Sequence, residues 1–162
     1  MSERFFEKAG RDLARIGRLV AQNQNIARLL TDPSIDPLDP NKPNVDGVSL
    51  IGKNITFVPY TEDDENVTES TIMILFDRFW QNRANKDYKL LRIRFNIICP
   101  MRSWTVKDMN LRPLLIMSEL DQMFNWQRIV GLGAMEFDSA DRLVISRYLS
   151  GYVVDYVVDT FS

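Results

Sequence analysis

Between Tyr88 and Cys99 the chain alternates with a period of two: Leu91, Ile93, Phe95, Ile97 and Cys99 fall on one side, and Arg92, Arg94 and Asn96 on the other. Only an extended strand separates such residues onto opposite faces, so this stretch demands a sheet with one face against a core and the other face polar. A chain of 162 residues closes about one such core, and 1–162 is read as a single domain. Its 45% hydrophobic and 26% charged residues are those of a folded protein.

The rest of the pattern supplies the partners of that strand. Residues 2–30 read as one helix, because Phe6, Ala9, Leu13, Ile16 and Val20 recur at steps of three and four on one side. Pro33, Pro37, Pro40 and Pro43 then break any helix, and 31–54 is expected to be an extended proline-rich arm or loop. Its apolar residues are spaced as anchors, Ile35 and Leu38 foremost; such a segment either grips a neighbour or serves as a linker. Strands follow at Ile55–Tyr60 and Ile72–Trp80, the second apolar enough to be covered on both faces. Asn82, Asn85 and Asp87 form the turn into the alternating strand, which Pro100 ends.

A second helix is expected over Leu111–Asn125, capped by Asp108 or Asn110 and tolerating Pro113 in its first turn. Pro113, Ile116, Met117, Leu120 and Phe124 form its core stripe, and Ser118, Glu119, Asp121 and Gln122 its wet side. Leu111, Leu114 and Leu115 lie elsewhere on the circumference, so something else must cover them. Ile129–Phe137 and Arg142–Arg147 flank Asp138-Ser139-Ala140-Asp141, read as a hairpin turn. The last strand sets Asp155 and Asp159 against Tyr152, Val154, Tyr156 and Val158, and its acids are expected to share the polar sheet face with Arg92 and Arg94. The fold class is therefore α+β, a mainly antiparallel sheet of about five or six strands with a long amino-terminal helix and a second helix packed on it.

Charge is split along the chain. Residues 1–30 hold six basic and three acidic residues, net +3, whereas 31–70 hold nine acidic and two basic, net -7. At about 100° per residue, Arg4, Lys8, Arg11, Arg15 and Arg18 gather in one stripe of the first helix. The stripe is either a solvated face or a surface for an acidic partner or the DNA backbone. A total of only -2 argues against a dedicated nucleic-acid binder.

Reactive chemistry has few carriers. The chain has no histidine, which removes the commonest general base, the usual triads and ordinary zinc sites. Cys99 sits in an apolar strand as a structural thiol. Gly131-Leu132-Gly133 lacks the rest of a phosphate loop and reads as a turn or a bulge entering a strand, and Asp63-Asp64-Glu65 lacks the spacing of a calcium loop. Phe79, Trp80, Trp104 and Trp126, each near an arginine, serve either single-strand nucleic-acid stacking or core and interface anchoring. No stretch of eighteen apolar residues is present, so no membrane span is expected. The expectation is a non-enzyme with no metal and no cofactor.

Several stretches together resemble the small neck and tail-completion proteins of tailed bacteriophages. They are the helix from Leu111 to Asn125 with Glu119, Asp121 and Phe124, the Gln127-Arg128 that follows, the segment flanked by Gly131 and Gly133, the earlier Gln24 to Leu30 and Asp36-Pro37-Leu38, and Ser150-Gly151-Tyr152. The resemblance runs from about residue 22 to the end and rests on scaffold residues. It implies assembly as a ring, often hexameric, between the connector and the tail tube. A tail terminator of this kind is α+β, closes the tube and docks it to the head; an adaptor or stopper ring is the alternative, and a DNA-binding module using the basic helix a further one. The implied partners are further copies of the chain, the connector or portal-side ring and tail-tube proteins, with non-specific contact to DNA crossing the lumen. The implied location is the virion, after synthesis in the host cytoplasm. The residues expected at such interfaces are Leu111, Leu114, Leu115, Ile35 and Leu38.

Overall fold

The amino-terminal apolar pattern folds as two helices, α1 (Phe5–Gln22) and α2 (Gln24–Thr31), where one was expected. Asn23 divides them: its backbone leaves the helical region at φ -77 and ψ 110, and its side-chain oxygen accepts from the Ile26 amide at 3.0 Å. An asparagine that caps a new helix in this way competes with continuation of the old one, so the chain turns without a loop. This computed structural model describes residues 3–59, 63–129 and 131–161. Tyr60 of the expected short strand and Val130 of the expected strand Ile129–Phe137 lie outside them.

Five strands form one sheet in the order β1-β2-β3-β5-β4: β1 (Ile55–Thr56), β2 (Thr71–Gln81), β3 (Tyr88–Pro100), β4 (Met135–Val144) and β5 (Leu149–Phe161). Every pairing is antiparallel except β1 with β2. The alternating strand is β3, at the centre, and its odd residues Leu91 to Cys99 are wholly buried beneath α1, α2 and a third helix, α3 (Arg112–Phe124). All three helices lie on this one face, which makes an α+β domain with the opposite sheet face uncovered. A small separate cluster of Met73, Ile98 and Leu149 covers only one end of that second face.

Three local expectations are corrected. Strand β2 is buried on both faces only at Ile72–Ile74, because the small cluster around Met73 covers the second face only at that end; from Asp77, the site of a bulge, most of its side chains are exposed. Strand β4 runs unbroken through Asp138-Ser139-Ala140-Asp141, with a bulge at Asp138, and the hairpin turn falls at Ile145–Tyr148. That polar run is the signature of an outermost strand, which faces water along one side and so resembles a turn in composition. Helix α3 starts after an extended Leu111 without a side-chain cap; Asp108 and Met109 instead form a tight turn at positive φ, 60° and 59°.

The proline-rich segment after α2 lies along the protein's own surface. Gln24 exchanges two hydrogen bonds with the Val45 backbone at 2.7 and 2.9 Å, and Arg28 donates to the Lys42 carbonyl at 3.0 Å. Leu38 and Val45 pack against the core. At Gly47 a Cβ would stand 1.7 Å from the Ala21 carbonyl oxygen, so only glycine admits this approach of loop to helix.

Candidate functional site

The uncovered sheet face carries a line of ion pairs. Arg94 of β3 bonds the Asp155 carboxylate of β5 through two nitrogens, each at 2.9 Å, and reaches Asp77 at 3.0 Å. Arg92 spans from Asp77 at 3.5 Å to Asp138 at 3.3 Å. The bond to Asp155 raises the Arg94 pKa further, against the effect of partial burial. The expected sharing of this face by acids and bases therefore holds: Asp155 is paired with Arg94, and Asp159 lies on the same face, exposed opposite Leu90. Trp80 lies on the same face with Arg78 at 5.4 Å and Arg92 at 5.8 Å from its ring centre, so these arginines stack on an aromatic of their own chain.

The basic stripe of α1 is partly neutralised within the protomer. Asp12, wholly buried, takes Lys8 at 2.9 Å and Arg15 at 3.1 Å. Lys8 also donates to the Gly131 carbonyl at 2.6 Å and to the Thr160 hydroxyl at 3.3 Å. Arg11 pairs with Glu3. Arg4 and Arg18 are exposed, and Arg18 borders a groove with Leu19, Arg128 and Ile129. Gly131, at φ 92, turns the chain beside Asp12, whose carboxylate a Cβ would meet at 2.7 Å. The expected turn at the glycine pair is thus fastened to the helix by Lys8.

Of the five residues expected at interfaces, two are open to solvent: Ile35 at 63% and Leu114 at 40%. Leu111 is half-buried, and Leu115 and Leu38 are half-buried against the core. Some of the other exposed apolar side chains fall in three places. One is at the free edge of β2, where Phe6, 67% exposed, meets Phe79 edge-on with ring centres 5.2 Å apart. A second follows the α3 and β4 side, with Leu114, Trp126, Phe137 at 49% and Val144. A third joins Ile35 to Met109, which is 89% exposed in its positive-φ turn. Trp126 is also held at positive φ, 61°.

The titratable groups with displaced pKa values serve packing. Burial pushes the Cys99 thiol up to about 11, which leaves it protonated and unreactive. Burial, and then its 2.8 Å hydrogen bond to Asp121, hold the Tyr156 phenol far above its ordinary range and tie α3 to β5. Arg112, the largest wholly buried side chain, donates to the carbonyls of Ser103, Leu29 and Asp32, each at 2.7 Å, and of Ser34 at 2.9 Å. Burial lowers its pKa. Sequence reasoning missed Arg112 and the bond between Tyr156 and Asp121; it read Asp12 as a flanking acid of the solvated helix face offering local ion pairs, and the pairs are present but Asp12 is buried. The one signal for Arg112 was a cation set among leucines at an otherwise apolar helix start.

Among the described residues no group of three or more acidic or cysteine side chains is placed to hold a metal ion, and no helix is long and apolar enough to cross a membrane. What this arrangement offers is surface: an ion-paired sheet face, apolar edges and a small basic groove. No curated protein matches the chain. A family model described as YomW matches residues 23–158, which takes in α2, α3, strands β1 to β4 and β5 as far as Val158.

Proposed function

The chain belongs to the YomW family, a phage-related one, and from that premise we propose that it is a structural subunit of the phage head-to-tail neck, a tail-terminator ring that closes the tail tube and joins it to the connector. Its work in this reading is assembly, without a catalytic step. The partners are further copies of the chain in a ring, commonly of six, with the connector-side ring above and the tail-tube protein below. The place of action is the virion, after synthesis in the host cytoplasm.

The observation that supports this reading is the difference between the two edges of the sheet. The β2 edge presents phenylalanines, Phe6 and Phe79; the β4 edge presents Leu114, Phe137 and Val144 beside acidic residues. A two-fold dimer joins like to like through one self-complementary patch. Two unlike patches on opposite edges suit head-to-tail contact, which closes into a ring when the rotation allows. The α+β fold agrees with the tail-terminator resemblance of the sequence.

Two measurements test the proposal. Light scattering coupled to size exclusion reads the mass of the isolated chain, and a multiple of at least three protomers is expected; a chain monomeric at every soluble concentration overturns the ring. A reconstruction of the phage particle then locates the density. A ring at the head-proximal end of the tail tube is expected, whereas a layer inside the connector makes the protein an adaptor or stopper instead.

A further inference from the structure

The two unlike edges are complementary to each other in chemistry. At the β2 edge, Phe6 and Phe79 form an aromatic knob, backed by Phe5 with its ring centre 5.0 Å from that of Phe6 and by Phe76 at 5.1 Å from Phe79. Beside it, the end of the β2–β3 hairpin, residues 78–89, holds Arg78, Arg83, Lys86 and Lys89 against Asp87, net +3. At the other edge, a groove of about 740 Å³ opens between α3 and β4, lined by Leu114, Met117, Phe137 and Tyr156, with Asp121 at its side. Strand β4 holds Glu136, Asp138 and Asp141 against Arg142, net -2. Knob and groove stand three strand spacings apart, about 14 Å, toward opposite edges of one sheet, and cannot meet within a protomer.

The groove is built to receive side chains rather than a strand. Its upper backbone is already paired: the Trp126 amide donates to the Met135 carbonyl at 2.7 Å, the Met135 amide to the Gln127 carbonyl at 3.0 Å, and the Phe137 amide to the Asn125 side chain at 3.1 Å. The hydrogen-bonding edge is spent there while the apolar wall stays open. Resting on the ring-subunit reading above, we infer that Phe6 and Phe79 of one copy seat in the α3–β4 groove of the next copy, with the cationic hairpin end laid over the acidic β4 strand. The apolar seat supplies contact area, and the paired charges fix orientation and disfavour knob-to-knob or edge-to-edge approach, which would set like charges together.

Light scattering and sedimentation of the full chain, with variants on both surfaces, test the seat. Phe6→Asp lies on an exposed face in the first turn of α1, where a carboxylate suits the helix, and it is expected to weaken self-association at least about tenfold. The double variants Arg83→Glu with Lys86→Glu, and Glu136→Lys with Asp141→Lys, are each expected to weaken it about tenfold, and all four changes together to restore it. Circular dichroism confirms that each variant is folded. As a second arm, Phe6→Cys combined with Leu114→Cys, with Cys99 buried and out of reach, should give a ladder of disulfide-linked multimers on oxidation. An oligomer that ignores Phe6→Asp and the charge reversals, or gives no ladder, overturns the seat and leaves the ring standing. A chain that never associates overturns both.

Discussion

Arg94 and Asp155 face one another across β3 and β5 in a two-pronged bond, Nε and Nη2 each 2.9 Å from a carboxylate oxygen. Asp155 is buried and pairs with Arg94, while Arg94 itself has Asp77 as a second partner. Replacing Asp155 with Ala therefore strips a buried strand position of its charge-assisted bonds, with an expected loss of about 1–3 kcal/mol. Arg94→Lys keeps the charge but loses the fork, so a smaller loss is expected. Urea unfolding measures both; an Asp155→Ala midpoint equal to wild type would show the pair to be energetically idle.

Arg112 is the fastening of the proline-rich segment. One guanidinium ties the end of α2, through Leu29, to Asp32 and Ser34 beyond it and to Ser103 before α3. Arg112→Met fills similar space but leaves four carbonyls without that donor, each worth about 1 kcal/mol or more where water cannot replace it. A loss of roughly 3 kcal/mol is expected, together with faster proteolytic cutting between residues 33 and 46. Unchanged cutting rates would mean that Leu38, Val45 and the Gln24 bonds hold the segment by themselves.

Much of this architecture was legible because its signals are local. The alternation from Leu91 to Cys99 needs no partner to be read, and it marked the buried face of β3 residue by residue. The placing of Asp155 beside Arg94 followed from opposite charges on two alternating strands. Failures came where a residue's role depends on what lies across the fold. Asp12 looked like a flanking surface acid and is buried between Lys8 and Arg15, and the run at Asp138–Asp141 looked like a turn because an outermost strand is as polar as one. Leu111, Leu114 and Leu115 were equivalent on a helical wheel. The core reaches Leu115 and leaves Leu114 open, a distinction set by tertiary packing alone.

Asp32 gives the acid side of the stability profile a specific contributor. Partial burial raises its pKa, but the bonds from Lys42 and from Ser34 outweigh this and hold it below 3.8, the ordinary value. A carboxyl with a lowered pKa in the folded state contributes stability above its unfolded pKa and loses it as pH falls through the folded value. Wild type should therefore exceed Asp32→Asn in urea midpoint near neutral pH, and the difference should shrink below about pH 4 as the carboxyl protonates in both states. A difference independent of pH down to acid unfolding would place the effect of Asn in hydrogen-bond geometry instead of charge.

Leu114 and Leu115 are neighbours on α3 with opposite surroundings, and that contrast separates assembly from folding. Leu115 packs against the core, so Leu115→Ala removes buried methyl groups and should cost the dilute chain about 1–3 kcal/mol in urea unfolding. Leu114, 40% exposed in the wall of the α3–β4 groove, should cost the dilute chain less than about 0.5 kcal/mol when changed to Ser. The order reverses for self-association measured by light scattering: Leu114→Ser weakens it, and Leu115→Ala leaves it near wild type under conditions where the variant stays folded. If Leu114→Ser instead destabilises the dilute chain as much as Leu115→Ala does, Leu114 belongs to the core and the groove is closed by motion of α3. Loss of association without loss of stability is the signature of a side chain kept at the surface for a neighbour.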